Sequence, residues 1–269
     1  MAPRPKKYWG QHFLMDHHLA RQMVAAIDAP PPTLVIEIGP GKGILTRYLL
    51  DTPCQYVGVE IDPELADYLR QTFQAFPNFH LLEADFLSLD LRSLFEQYSG
   101  HTPVVIGNIP YNITGPILFK LFQHYRELHQ AILMVQKEVA RRITASPGSK
   151  DFGILAIFSQ LYARVRYLWT VPAGRFFPRP QVDSAVVQFH FRKDATATIA
   201  NEALFQRLVK TAFQQRRKML KNSLSLLFPK EVLNKLPFDL NLRPEQVPLS
   251  DWIQLANQLH QQTPEREGQ

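Results

Sequence analysis

The chain has 269 residues, enough for one large domain and a small second one. An apolar fraction of 45% fits a globular core, and the single cysteine, Cys54, excludes a disulfide framework or a thiolate metal site within the chain. The formal charge of +6 points towards a polyanionic partner. No apolar run approaches the roughly 20 residues that span a bilayer. The N-terminal stretch MAPRPKKYWG also lacks the apolar core of a secretory signal. A cytoplasmic protein without a membrane partner is expected. The basic residues are unevenly spread. No acid occurs from Met1 to Met15, which contains Arg4, Lys6 and Lys7. None occurs from Ala203 to Lys230, which contains Arg207, Lys210, Arg216, Arg217, Lys218 and Lys221. One such block reads as a solvated face; two separate blocks favour nucleic acid.

In chain order, TLVIEIG (33–39) is apolar on both faces and ends in glycine, the pattern of a fully buried strand. ILTRYLLD (44–51) has helical apolar spacing, and QYVGVEID (55–62) is a second buried strand. PELADYLRQTFQ (63–74) opens with a proline suited to a first helical turn. FHLLEAD (79–85), PVVIGN (103–108) and AILMVQ (131–136) supply three more strands. GPILFKLFQHY (115–125) and KEVARRITA (137–145) are helices flanking the last of them. Strands alternating with helices at this spacing call for a doubly wound, mostly parallel α/β sheet. SAVVQFHFR (184–192) alternates as an antiparallel edge strand would. Beyond the small, polar KDATATIA (193–200) only helical segments follow: NEALFQRLVKTAFQ, RKMLKNSLSLLF, PKEVLNKL and LSDWIQLANQL. A boundary near residue 195 is expected, giving a sheet domain (1–195) and a small all-helical domain (196–269).

Candidate chemistry collects at the carboxyl ends of the strands, where ligands of open α/β sheets bind. EIGPGKG carries Gly39, Gly41 and Gly43 with G-x-G-x-G spacing, unlike the G-x-G-x-x-G of a dinucleotide fold. Such a turn lets a nucleoside approach the backbone, although a tight structural turn would look alike. Glu60, ending the second strand, is placed to bind ribose hydroxyls, and Asp85, ending the third, to accept from an adenine amino group. Each could equally be a solvated strand end. The fourth strand ends in Asn108, Ile109, Pro110 and Tyr111. An adenine N6 amine is a poor nucleophile because its lone pair is delocalised into the ring. The Asn108 side-chain oxygen and the Ile109 carbonyl are acceptors that can draw that lone pair out. Pro110 contributes no competing N–H, and Tyr111 offers a face on which a flipped base can stack. The competing reading is an ordinary capped strand-to-helix turn. No histidine pair with ligand spacing supports a metal site.

GQHFL, EIGPGKG, VGVEID, EADFL, NIPYN and FFPRPQVDSAVV, in that order, resemble the ribosomal RNA adenine N6-dimethyltransferases. The similarity runs from about Trp9 to Val187 and returns in FQQRRKMLKNSL, which is similar to the C-terminal domain of the bacterial small-subunit branch. The resemblance implies a Rossmann-like class I methyltransferase domain, S-adenosylmethionine as methyl donor and no metal. It implies two adjacent adenines near the 3′ end of 16S rRNA as substrate, in the small ribosomal subunit or its precursor, and a monomeric enzyme. Cofactor contacts are implied at Gln11, His12, Leu14, Gly39, Gly41, Glu60, Ile61, Asp85, Phe86 and Asn108. Catalytic roles fall to Asn108, Ile109, Pro110 and Tyr111, with Phe176 facing Tyr111 across the base. RNA contacts fall to Arg216, Arg217, Lys218 and Lys221. Phe177 is the rival to Phe176, since neighbours in an extended segment point oppositely, and FFPRP could also be a core plug followed by a turn. The family commonly has Asn where His12 stands and Leu where Ile109 stands. The second departure touches only a backbone carbonyl, whereas the first puts the His12 cofactor contact in question.

Overall fold

A computed structural model describes residues 3–6 and 9–262. Lys7, one of the basic residues of the first acid-free block, lies outside the described residues. The chain divides into two compact units, Met1–Ala140 with Ala163–Lys193, and Arg141–Tyr162 with Asp194–Gln269. The expected cut near residue 195 leaves 141–162 with the sheet, whereas the packing puts that segment with the helices.

Among its described residues the first unit holds nine strands: β1 (Phe13–Leu14), β2 (Thr33–Ile38), β3 (Cys54–Glu60), β4 (Phe79–Glu83), β5 (Thr102–Asn108), β6 (Gln130–Gln136), β7 (Ala163–Val171), β8 (Phe176–Phe177) and β9 (Ser184–Phe191). Seven form one sheet in the order β4-β3-β2-β5-β6-β9-β7, with β4 to β6 parallel and β9 and β7 antiparallel. Its middle strands β2, β5 and β6 are buried along most of their length and are mostly apolar, as strands buried on both faces are. β1 and β8 form a separate antiparallel pair, with Phe13 opposite Phe177 and Leu14 opposite Phe176.

The sheet's antiparallel side corrects the sequence reading. β9 is not the edge: it lies between β6 and β7 and is buried along most of its length. The edge is β7, ARVRYLWTV, where exposed Arg164 and Arg166 alternate with half-buried Val165 and Tyr167. That alternation was the edge-strand signal. Helices at His17–Ala25, Leu91–Gln97 and Ile154–Tyr162 were not anticipated either.

Local chemistry accounts for the turns that matter below. The helix Pro63–Phe73 begins with proline in its first turn, and its N-cap Asp62 accepts from the Glu64 N–H. The helix Ile44–Leu50 starts from Gly43 at φ 75°, where a Cβ would fall 2.5 Å from the Phe73 ring.

In the second unit, Phe158, Phe205, Leu208, Trp252 and Leu255 are buried. They come from the helices Ile154–Tyr162, Glu202–Gln214 and Leu249–Gln262. Asn201 caps the middle one by accepting from the Leu204 N–H. The segment RKMLKNSLSLLF is helical only over Leu220–Leu224. Arg216, Arg217 and Lys218 therefore lie in the turn before that helix. No helix among the described residues is long and apolar enough to cross a membrane.

Candidate active site

The carboxyl ends of β2, β3 and β5, together with the turn after β4, open on a cavity of about 270 Å³ in the first unit. The glycine turn forms one wall, with Gly39, Gly41 and Gly43 all at positive φ. At Gly41 the requirement is double, because a Cβ would also stand 3.1 Å from the Phe13 ring. Glu60 is buried behind this turn. Its Oε2 accepts from the Gly41 N–H at 3.0 Å, and its Oε1 accepts from the N–H groups of Ile61 and Asp62, each at 3.0 Å. Burial pushes the Glu60 carboxyl above its ordinary value, against these backbone bonds, which favour the charge.

Asp85 sits two residues beyond β4 and lines the cavity, its carboxylate accepting from the Leu87 N–H at 2.9 Å. Phe86 and Ile61 line it too. Lys120 donates to the carbonyls of Leu87 and Leu89 and so pins this turn from outside.

A segment from the N-terminus closes the cavity's side. Gln11, His12, Phe13 and Leu14 all line it. The Gln11 amide is already engaged: its oxygen accepts from the Lys6 N–H at 2.8 Å and its nitrogen donates to Asp62 at 3.1 Å. Lys6 adds an ion pair of 2.8 Å to Asp62 and one of 3.0 Å to Glu64. Burial opposes the Asp62 charge, but the bonds from Lys6, Gln11 and the Glu64 N–H outweigh it and lower its pKa.

At the end of β5, Asn108, Ile109, Pro110 and Tyr111 all line the cavity. The Asn108 Nδ2 donates to the His12 carbonyl at 2.7 Å, which leaves the amide oxygen as its acceptor end. The Tyr111 hydroxyl bonds to the Ser184 hydroxyl at 2.8 Å, and burial raises its pKa. The His12 ring stacks on Tyr111, with centroids 5.7 Å apart and an interplanar angle of 24°. Phe176 and Phe177 do point oppositely. Phe176 is 5% exposed, packed in the core cluster that includes Leu14 and Val186, and is not among the cavity-lining residues. Phe177 is the open ring, 56% exposed.

One lining residue went unread in the sequence. Glu37 is fully buried and accepts from the hydroxyls of Thr46 (2.7 Å) and Tyr56 (2.8 Å). Burial raises its pKa to about 7, against those two hydrogen bonds. The signal was present: Glu37 is the single acid inside the otherwise apolar TLVIEI strand. A charge there demands partners.

In the second unit, Arg216 donates to the Lys150 carbonyl and faces Glu245 at 3.8 Å, while Lys221 donates to Asn241 at 2.9 Å. Arg217 and Lys218 are exposed. Among the described residues no three His, Cys, Asp or Glu side chains gather as metal ligands would.

The sequence pattern of the family described as "Ribosomal RNA adenine dimethylase" matches residues 3–261. The "Ribosomal RNA small subunit methyltransferase A" of Phocaeicola vulgatus is 42% identical over 258 residues, covering 95% of this chain and 90% of its own. Among solved structures, a dimethyladenosine transferase from Plasmodium falciparum superposes with a TM-score of 0.76 at 22% identity, covering 94% of this chain and 98% of its own. The 23S rRNA methyltransferase ErmE superposes with a TM-score of 0.69 at 25% identity, covering 92% and 99%.

Proposed function

The chain belongs to the ribosomal RNA adenine dimethylase family, and from that premise we propose that it transfers methyl groups from S-adenosylmethionine to N6 of two adjacent adenines near the 3′ end of 16S rRNA. It would act in the cytoplasm as a monomer, during small-subunit maturation. The observation that carries this reading is the juxtaposition, at the end of β5, of the Asn108 amide and the Tyr111 ring on the cavity that Glu60 backs.

The residues suit the donor. Oε2 of Glu60 accepts one bond, from Gly41, and so keeps acceptor capacity for a ribose diol. Asp85 supplies an acceptor for an adenine amine, and Gly39, with nothing within 4 Å of where a Cβ would stand, admits close approach. His12, Leu14, Gly41, Ile61 and Phe86 complete the proposed contacts. Gln11 acts through Asp62, to which its amide is already bound.

Bound there, S-adenosylmethionine supplies an electrophilic methyl group on a sulfonium that leaves as a neutral thioether. The chain's part is to position and activate the amine. With Nδ2 held by the His12 carbonyl, Asn108 Oδ1 accepts from N6. In the first transfer the Ile109 carbonyl accepts the second N6 hydrogen, Pro110 adds no competing donor, and the proton that N6 gives up as it bonds to the methyl carbon leaves to solvent. Together they draw the lone pair out of ring conjugation. Tyr111 holds the extruded base by its face. Arg217 and Lys218, with Arg216 and Lys221, are the proposed phosphate contacts of the helical unit.

The small-subunit substrate is supported by the 42% identity to a small-subunit methyltransferase, against 25% to the 23S rRNA enzyme. The test is methylation of undermethylated small subunits, naked 16S rRNA and 23S rRNA, with product mapping. N6,N6-dimethyladenosine at two adjacent adenines of 16S rRNA is expected. Product confined to 23S rRNA would overturn the assignment.

A further inference from the structure

We infer that Lys42 binds the carboxylate of the donor's methionyl tail. The inference rests on the proposed S-adenosylmethionine site and names a partner for the donor's one anionic group. In the sheet the strands neighbour one another in the order β4, β3, β2, β5. Asp85 follows β4, Glu60 ends β3, the glycine turn follows β2, and Asn108 ends β5. Neighbouring strands lie about 4.8 Å apart, so these four ends span about 14 Å. With the adenine at Asp85, the ribose at Glu60 and the methyl group delivered at Asn108, the methionyl tail has to cross the turn after β2. Lys42 is the one charged side chain of that turn, GPGKG (39–43).

The tail carries a carboxylate beside two positive charges, its ammonium and the sulfonium. The proposed contacts include two acids, Glu60 and Asp85, and no lysine or arginine. Among the described residues that line the cavity, Lys42 is the only lysine or arginine. It is half-buried, and among the described residues it has neither an ion pair nor a side-chain hydrogen bond. Its Nζ stands 4.9 Å from the centroid of the Phe13 ring, which lines the cavity as well. The ring face attracts the ammonium and keeps it beside the cavity, yet carries no charge to neutralise it. All three N–H donors therefore remain for an incoming anion. A carboxylate arriving there gains a charge-assisted hydrogen bond in a half-buried setting, where water screens it less than at the open surface.

Titration calorimetry compares S-adenosylhomocysteine with its decarboxylated analogue, which keeps the ammonium and lacks the carboxylate. Wild type, Lys42→Arg, Lys42→Met and Lys42→Gln are each titrated with both. Lys42→Met keeps an apolar stem over Phe13 and loses the charge. It should bind S-adenosylhomocysteine about tenfold more weakly than wild type, the worth of one hydrogen bond to a charged group. It should bind the decarboxylated analogue equally well or better, because a repulsion between two ammonium groups is gone. Lys42→Gln should repeat that pattern, so failure of either variant to fold leaves the test intact. Lys42→Arg restores the charge and should keep most of the wild-type affinity. Equal losses for both ligands in the Met and Gln variants would overturn the inference, since the shape of the turn would then be what Lys42 maintains. Unchanged affinity for both ligands would overturn it too: Lys42 would then be a cover for Phe13, or a phosphate contact if RNA affinity fell instead. The broader reading fails separately, because wild type itself would then bind neither ligand.

Discussion

The two ends of the cavity hold their key side chains in different ways. At the glycine-turn end, Glu60 is gripped by backbone N–H groups from Ile61 and Asp62, directly after it, and from Gly41, 19 residues earlier in the turn after the neighbouring strand. At the β5 end each anchor comes from far along the chain: Asn108 to His12, His12 to Pro178, Tyr111 to Ser184. The first end is a local motif whose geometry follows once β2 and β3 pair. The second exists only when the N-terminal segment, β5, β8 and β9 have all assembled. Substitutions at the first end should move one property, and substitutions at the second should move several.

The largest expected effect is at the second end. Asn108→Ala removes the proposed acceptor for N6 and also releases the His12 carbonyl. We expect methyl transfer in single-turnover assays to fall about a hundredfold or more, by analogy with the loss of one preorganised hydrogen-bonding group. A change of only a few-fold would remove Asn108 from the chemistry. Next comes Glu60→Ala at the first end, which should weaken S-adenosylmethionine binding by roughly 1–3 kcal/mol while RNA affinity stays level. If RNA affinity fell in parallel, the contrast between a local and an assembled end would be lost.

That contrast also explains what could be read from the sequence. The buried strands, the glycine turn, Glu60 and the NIPY turn each rest on a short stretch whose pattern is its own evidence. Stacking of His12 on Tyr111 rests on residues 12, 111 and 178, and no periodicity links them. The same holds for the burial of Phe176: alternation says that Phe176 and Phe177 diverge, while only the packed core says which one is buried. β7 was hidden differently, because its arginines look like surface helix or loop until β9 is placed beside them. Glu37 was legible as an oddity, an acid within an apolar strand, although its partners Thr46 and Tyr56 were not.

Glu37 sharpens the comparison because it is the acid at the first end that relies on side chains instead of the backbone. Burial raises its pKa from 4.5 to about 7. A carboxyl that holds its proton more tightly folded than unfolded favours the folded state while protonated. Its contribution is therefore full below about pH 4.5, declines as pH rises, and is gone once pH passes about 7. The swing is at most about 3 kcal/mol. Glu37→Gln keeps an acceptor for both hydroxyls and has no proton to lose. Urea unfolding at several pH values should show the variant's stability to be flatter than wild type between those limits. Parallel curves would mean that Glu37 keeps its charge when folded.

The smallest effect separates ring from hydroxyl at Tyr111. Tyr111→Phe keeps the face proposed to hold the base and loses the bond to Ser184. Both hydroxyls lie in a half-buried to buried setting, so Ser184 is left short of a partner and stability should drop by about 1 kcal/mol. Most of kcat/KM should survive, because stacking does not use the hydroxyl. Tyr111→Ala removes the ring as well, and kcat/KM should fall roughly five- to a hundredfold, the value of one base–aromatic stack. Both variants must be assayed well below their melting temperatures, which keeps the stability loss out of the kinetics. If phenylalanine lost as much activity as alanine, the Ser184 anchor would be what positions the slot, and the assembled end would depend on its hydrogen bonds more than on its rings. If neither substitution slowed transfer, Tyr111 would be a cap on the turn and the stacking role would fall.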